Sequence, residues 1–247
     1  MSARVAVVVF PGTNSEEETL RLARDVGMTA DLVHWSNAAA LSDFDAYILP
    51  GGFAYEDRIR AGAIAAHDRI MDAVIAGAQR NKLVLGICNG AQILLEAGLV
   101  PGTGPVRVPT AAFTRNAAPG KYICKRVEVR LTIDPARCAI TSALAKDCVL
   151  PAWAAHGEGR LAASPESLHD LQVGNNVAFV YVGGAPNGSA LDAAALTNTA
   201  GNVLAIMPHP EREGWGYNHL RRSRGTNALE PSGGAALFDS FAKTLRV

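Results

Sequence analysis

The chain has 247 residues, 49% hydrophobic and 19% charged, which is enough apolar surface for a sizeable buried core and excludes a disordered polymer. Its 23 Lys and Arg balance 23 Asp and Glu, so net charge gives no argument for nucleic acid or an anionic membrane as partner. No apolar run reaches the roughly 18 residues of a membrane-spanning helix, and Val5 to Phe10, cut off by Pro11-Gly12, is too short for a secretory signal.

In chain order, "RVAVVVF" is a continuous β-branched run, suited to a strand covered on both faces of a parallel sheet. A helix is predicted next. Ser15 and Glu18 stand in capping-box spacing, Leu20, Ala23 and Val26 share one face, and Gly27 is the stop. "ADLVHW" and "DAYILP" read as two further strands, and a helix over about residues 62–80 leads into the strand "KLVLGI". Another helix follows Cys88 and ends at Gly98, because Pro101 cannot extend it. Strand alternating with helix predicts an α/β fold: a doubly wound, mostly parallel sheet flanked by helices, with chemistry at the carboxyl ends of the strands.

From about residue 120 the texture changes to turns between shorter strands. Val127, Val129, Leu131 and Ile133 alternate as in a half-buried antiparallel strand, a short antiparallel addition to the sheet. "VAFVYV" and "NVLAIMP" are later strands, and residues 233–246 form a closing helix. The short basic run Arg221-Arg222-Ser223-Arg224 reads as a solvated loop, with a phosphate or partner contact as the alternative. No repeat or linker interrupts the chain, so one domain over 1–247 is expected.

Gly86-Ile87-Cys88-Asn89-Gly90 has the form G-x-C-x-G, the thiol counterpart of a nucleophile elbow. A sharp strand-to-helix turn crowds the backbone, and neighbours without side chains let the central residue project. Unpaired N–H groups at a helix start stabilise a thiolate, and the Asn89 amide points to where an oxyanion would form beside the sulfur. From the pentapeptide alone, a buried cysteine at an ordinary turn remains equally open. Cys124, Cys138 and Cys148 lack glycine flanks and read as filler. The four cysteines show neither CxxC spacing nor disulfide density, as expected of free thiols in a cytoplasmic protein.

A thiol that attacks an acyl carbon needs a base, and the base an orienting group. In "MPHPER", Pro210 pushes His209 into an extended conformation, where residues two apart project to the same side. His209 and Glu211 are therefore predicted to face one way, the carboxylate fixing the imidazole tautomer. His156 and Glu158 in "AHGEGR" repeat the spacing, but flanking glycines weaken the geometric argument, and a substrate or interface loop is expected there. In "LPGGF", Gly51-Gly52 allows a backbone N–H to turn into the cleft as a second oxyanion donor, although a plain tight turn has the same composition. No cluster shows metal-ligand spacing.

The segments "FPGTNSEEE", "LPGGFAYEDRIRAGAIA", "GICNGAQILLEAGLVPG", "AHGEGR", "PNGS" and "GNVLAIMPHPER" together resemble the class I glutamine amidotransferases. Within them the chain is similar to the family of glutaminase subunits of phosphoribosylformylglycinamidine synthase. The resemblance implies a flavodoxin-like amidotransferase fold with Cys88 as nucleophile and His209 and Glu211 completing a triad. It makes Gly52 and Asn89 oxyanion donors, and Gln92 a side chain contacting glutamine. Glutamine would be hydrolysed through a γ-glutamyl thioester. The ammonia would pass to a synthetase subunit that makes formylglycinamidine ribonucleotide in purine biosynthesis, with a small bridging subunit as a further partner. No cofactor is expected in this chain: it lacks a G-x-x-x-x-G-K-[ST] loop, so ATP and Mg would belong to the partner. Glu56 stands where the family usually has glycine, the stretch after "PNGS" follows the pattern loosely, and residues 214–232 are unlike it. A stand-alone γ-glutamyl cysteine hydrolase and a non-catalytic regulatory subunit are the competing readings.

Overall fold

The structure is a computed structural model that describes residues 3–117, 121–216 and 232–246. The basic run at 221–224 and most of the 214–232 segment lie outside the described residues. In chain order the elements are β1 (Arg4–Val9), α1 (Glu16–Asp25), β2 (Thr29–His34), β3 (Ala46–Leu49), α2 (Arg69–Gln79), β4 (Leu83–Ile87) and α3 (Asn89–Glu96). There follow β5 (Ala111–Arg115), β6 (Ile123–Leu131), β7 (Val149–His156), β8 (Glu158–Ala163), α4 (Pro165–Val173), β9 (Val177–Tyr181), β10 (Ala193–Thr197), β11 (Val203–Ile206) and α5 (Ala235–Leu245).

One sheet has the order β2-β1-β3-β4-β11-β10-β9-β6-β7. Its first five strands run parallel, and β10, β9, β6 and β7 add antiparallel neighbours. A separate β5–β8 pair makes the small antiparallel addition. Every residue of β3, β4 and β11 is buried, as helices on both faces of a parallel sheet require. In β6 the alternation appears as expected, with Val127, Val129 and Leu131 buried and the residues between them exposed. No helix among the described residues is long and apolar enough to cross a membrane.

Two local expectations are corrected. The helix predicted over 62–80 is a 3-10 turn at Ala65–His67 followed by α2. Asp68, extended at φ −66° and ψ 149°, accepts a hydrogen bond from the Ile70 amide at 3.1 Å and starts the helix afresh. At α1 no capping box forms, because Ser15 and Glu18 are drawn to Arg212 instead: its guanidinium donates to Ser15 Oγ at 3.1 Å and to Glu18 Oε1 at 2.9 Å. A long-range cation has outcompeted a local cap.

Candidate active site

The carboxyl ends of β3, β4 and β11 lie side by side, and each delivers one wall of a cleft. Cys88 sits on the bend between β4 and α3 with φ 51° and ψ −106°, a left-handed conformation that costs a non-glycine residue about 1–3 kcal/mol. The surroundings hold it there. Its amide continues the ladder by donating to Ile206 O at 2.8 Å, and its carbonyl accepts from Gln92 N at 3.1 Å.

The glycines of the elbow are explained by close approach. A Cβ on Gly90 would lie 1.9 Å from Leu49 O, and one on Gly86 would lie 2.5 Å from Leu94 Cδ1 and 2.7 Å from Gly90 O. Side chains there would push α3 off β3 and β4, and with it the thiol. Cys88 is buried at 6% exposure, with its sulfur 3.9 Å from Ala155 O. All four cysteines are free thiols.

His209 and Glu211 come together as predicted, with Nδ1 and Oε1 2.5 Å apart and both residues buried. The route differs from the extended-chain expectation. His209 itself is strand-like, exchanging hydrogen bonds with Trp153 (2.8 Å and 3.1 Å) on β7, but Pro210 is helical at φ −69°, ψ −29°, and Glu211 opens a 3-10 turn. The other face of the imidazole is in hydrogen-bonding contact with Cys88. Burial opposes a charge on His209, but the Glu211 carboxylate and the Cys88 sulfur outweigh it and push the pKa up, to about 10. The pair therefore holds a proton between a carboxylate and a sulfur, poised for transfer to a leaving group.

Gly51 and Gly52 have separate tasks. A Cβ on Gly51 would lie 2.5 Å from His209 Cε1, so Gly51 makes room for the imidazole, while its carbonyl accepts from Asn14 N and Ser15 N, both at 3.2 Å. A Cβ on Gly52 would lie 2.6 Å from Thr13 Cα, because the turn is pressed against residues 12–14. The N–H groups of Gly52 and Asn89 are donors that no acceptor among the described residues takes up, the pattern an oxyanion site needs.

The side chains of Asn89 and Gln92 form a relay along the cleft. Asn89 Oδ1 accepts from Ala54 N at 3.0 Å, and its Nδ2 donates to Gln92 Oε1 at 2.9 Å and Asp57 Oδ1 at 3.2 Å. Gln92 Nε2 donates in turn to the Glu158 carbonyl. Asp57 is a site-bordering residue that sequence reasoning missed. Its pKa is pushed up to about 6 by burial first and then by the charge of Glu158, against the Asn89 hydrogen bond. Tyr55, Glu56 and Asp57 are successive left-handed residues with φ 55°, 59° and 50°. A glycine would take the left-handed conformation at position 56 without the strain that Glu56 bears.

The second His-x-Glu pair does not form. His156 is buried, with Nδ1 3.2 Å from Asn116 Oδ1, and burial and then the charge of His209 push its pKa down to about 4. Glu158 turns elsewhere, accepting from Ala61 N at 3.2 Å and facing Arg115 at 3.7 Å. The "PNGS" segment holds this turn in place: Asn187 donates to Gly159 O at 2.7 Å, and Ser189 Oγ accepts from Leu161 N at 3.0 Å. Glu18, His209 and Glu211 bring ligand atoms within 4.8 Å of one another, but Arg212 engages Glu18, and Glu211 engages His209. Asn116 and the buried Glu213, bonded to Arg126 Nε at 2.9 Å, are further supports that sequence spacing did not reveal.

Residues 2–243 match the family described as CobB/CobQ-like glutamine amidotransferase domain. The chain is 43% identical over 218 residues to the phosphoribosylformylglycinamidine synthase subunit PurQ of Symbiobacterium thermophilum, covering 85% of this chain and 87% of that protein. Among solved structures it is similar to PurLQS from Thermotoga maritima, with a TM-score of 0.78 and 32% identity over 98% of this chain and 99% of the matched one. A glutamine amidotransferase from Thermotoga maritima shares the fold: 14% identity and a TM-score of 0.52 over 85% of this chain and 77% of the other.

Proposed function

The chain belongs to the CobB/CobQ-like glutamine amidotransferase family, and from that premise we propose that it is the glutaminase subunit of a phosphoribosylformylglycinamidine synthase. The observation that carries the chemistry is the left-handed Cys88 at the elbow, in contact with a His209 imidazole whose other nitrogen is held by Glu211 at 2.5 Å.

Cys88 Sγ attacks the γ-carboxamide carbon of glutamine, and the negative charge that develops on its oxygen is met by the amides of Asn89 and Gly52. His209 passes its proton to the departing nitrogen, releasing ammonia and leaving a γ-glutamyl thioester. Water then attacks the thioester with His209 as base, and glutamate leaves. Glu211 holds the imidazole in the tautomer that both steps require.

The PurQ and PurLQS relatives support a pathway in which the ammonia goes to a synthetase subunit that makes formylglycinamidine ribonucleotide in purine biosynthesis, with a small bridging subunit in the complex. ATP and Mg are used by that partner, and this chain carries no cofactor of its own. One domain spans 1–247 and works in the cytoplasm. The partner docks near 53–62 and "AHGEGR", where the cleft wall is a strained turn with Ile59 exposed. Steady-state ammonia release, with and without synthetase, acceptor and ATP, tests the reading. Slow hydrolysis by the free chain and acceleration by the partner are expected. Equal rates together with brisk cleavage of γ-glutamyl peptides would assign a stand-alone hydrolase instead.

A further inference from the structure

Arg212 directly follows the triad carboxylate and takes no part in the steps above. Its guanidinium forks across to a distant part of the chain, donating from Nε to Glu18 Oε1 at 2.9 Å and from Nη2 to Ser15 Oγ at 3.1 Å. Ser15 is fully buried and stands just ahead of α1, yet its side chain caps no amide of that helix. The hydroxyl instead donates to Asn14 Oδ1 at 3.3 Å and turns a lone pair to Arg212.

Ser15 belongs to the segment that shapes the oxyanion turn. Its amide and that of Asn14 both donate to Gly51 O at 3.2 Å, Thr13 bridges Gly52 in antiparallel fashion, and Phe53 N donates to Gly12 O at 2.9 Å. The Gly51 carbonyl and the Gly52 N–H belong to one planar trans peptide, so pinning the oxygen on one side aims the N–H to the other. A Cβ on Gly51 would lie 3.1 Å from Ser15 Oγ and 2.5 Å from His209 Cε1, so the hydroxyl and the imidazole close on the same glycine. An unbroken run of contacts thus leads from the base to the oxyanion donor. It passes from His209 to Glu211 at 2.5 Å, along the chain to Arg212, across to Ser15, and from its amide to the Gly51–Gly52 peptide.

We propose that Arg212 is a positioning residue for the oxyanion donor: through Ser15 it holds the Gly51–Gly52 peptide in register with the triad turn, a role that rests on the glutaminase reading. The oxyanion forms only once the Cys88 sulfur has attacked the carbonyl carbon. A tilted Gly52 N–H therefore weakens the transition state and leaves the binding of glutamine alone, so the loss falls on kcat and not on KM. Lysine would keep the charge but lacks the planar fork that spans Ser15 and Glu18 at once.

The test is steady-state ammonia release from glutamine by the chain assembled with its synthetase. Arg212→Met and Ser15→Ala should each lower kcat by about 10–100-fold, the effect of a misplaced oxyanion donor, with KM within about 2-fold of the parent. The losses should not multiply: in the Ser15→Ala background, Arg212→Met should cost only about 2-fold more. Arg212→Lys should stay close to Arg212→Met. Parallel changes in KM and kcat, losses that multiply, or full activity in Arg212→Lys would overturn the proposal in favour of a structural or purely electrostatic arginine. Because Arg212→Met can misfold, Ser15→Ala, which removes a single oxygen, decides alone in that case: an unchanged kcat there overturns the proposal too. Absence of ammonia release by the unsubstituted assembly would instead remove the glutaminase reading.

Discussion

The two His-x-Glu segments share a spacing and end in opposite electrostatic states. At 209–211 the carboxylate closes on Nδ1 at 2.5 Å, and the imidazole pKa rises to about 10. At 156–158 the carboxylate turns to another loop, an asparagine oxygen takes its place, and the pKa falls to about 4. Both rings are buried, so burial does not separate them. The difference lies in the residue between and in what each chain end is tied to. Pro210 leads directly into a tight turn that brings Glu211 back, whereas Gly157 is a one-residue bend between β7 and β8 that sends Glu158 away. One imidazole is thereby kept charged and the other neutral. Two histidines that could both titrate would compete for the same proton.

The sharpest way to break this comparison is to remove each ring. His209→Ala should lower glutamine turnover by at least about 10³-fold, as loss of a triad base does, and His156→Ala by clearly less. Steady-state ammonia release decides it, and the reverse order would exchange the two roles. Next in size, Glu211→Gln should cost less turnover than loss of the ring itself and pull the His209 pKa downward, because the neutral amide no longer stabilises the imidazolium. NMR titration of the ring checks the shift. No downward movement would mean that the Cys88 sulfur alone holds the proton in place.

The third prediction concerns acid. His156 has a folded pKa of about 4, below its ordinary 6.5. Between these values the unfolded chain binds more protons, so stability falls as pH drops through 6.5 toward 4, reaching a loss of about 2 kcal/mol by pH 5. Asp57 acts in the opposite sense: its pKa is raised to about 6, the folded chain binds more protons, and stability falls as pH rises toward 6. Urea midpoints at pH 7 and pH 5 should therefore show a shallower acid loss in His156→Gln and a steeper one in Asp57→Asn. The same acid loss in His156→Gln as in the parent would show that ring to be unimportant for the pH dependence.

The smallest effect separates the glycines on either side of Glu158. Gly159→Ala brings a Cβ within 2.3 Å of the His156 ring and should destabilise by about 1–2 kcal/mol, whereas at Gly157 the nearest atom is Tyr122 Cδ2 at 3.8 Å. Gly157→Ala should stay within about 0.5 kcal/mol of the parent. Thermal unfolding of the two variants measures the contrast, and equal losses would mean that backbone freedom rather than ring packing requires both glycines.

The parts of the molecule legible in the sequence are those set by local rules. The runs that became β1, β3, β4 and β11 announce burial on both faces, and the glycines around Cys88 announce a bend that must carry helix close to strand. The start of α4 was equally visible, since Ser164 caps the amide of Ser167 at 3.1 Å and Pro165 fits the first turn, but its weak apolar face gave no reason to look. Other features had no local trace. Asn116, Asp57 and Glu213 become important through partners far along the chain, and Ser15 read as a cap until Arg212 claimed it.

The bridge between His209 and Trp153 closes the cleft with strands that leave the ribosome late. Cys88 and its elbow are translated well before β7, β11 and the base they carry. A nascent chain thus holds a nucleophile with no proton acceptor, and a chain truncated before Glu211 holds an incomplete site. Because the last-made strands supply the base, the pairing of thiol and imidazole is complete only once the chain has been made through Glu211.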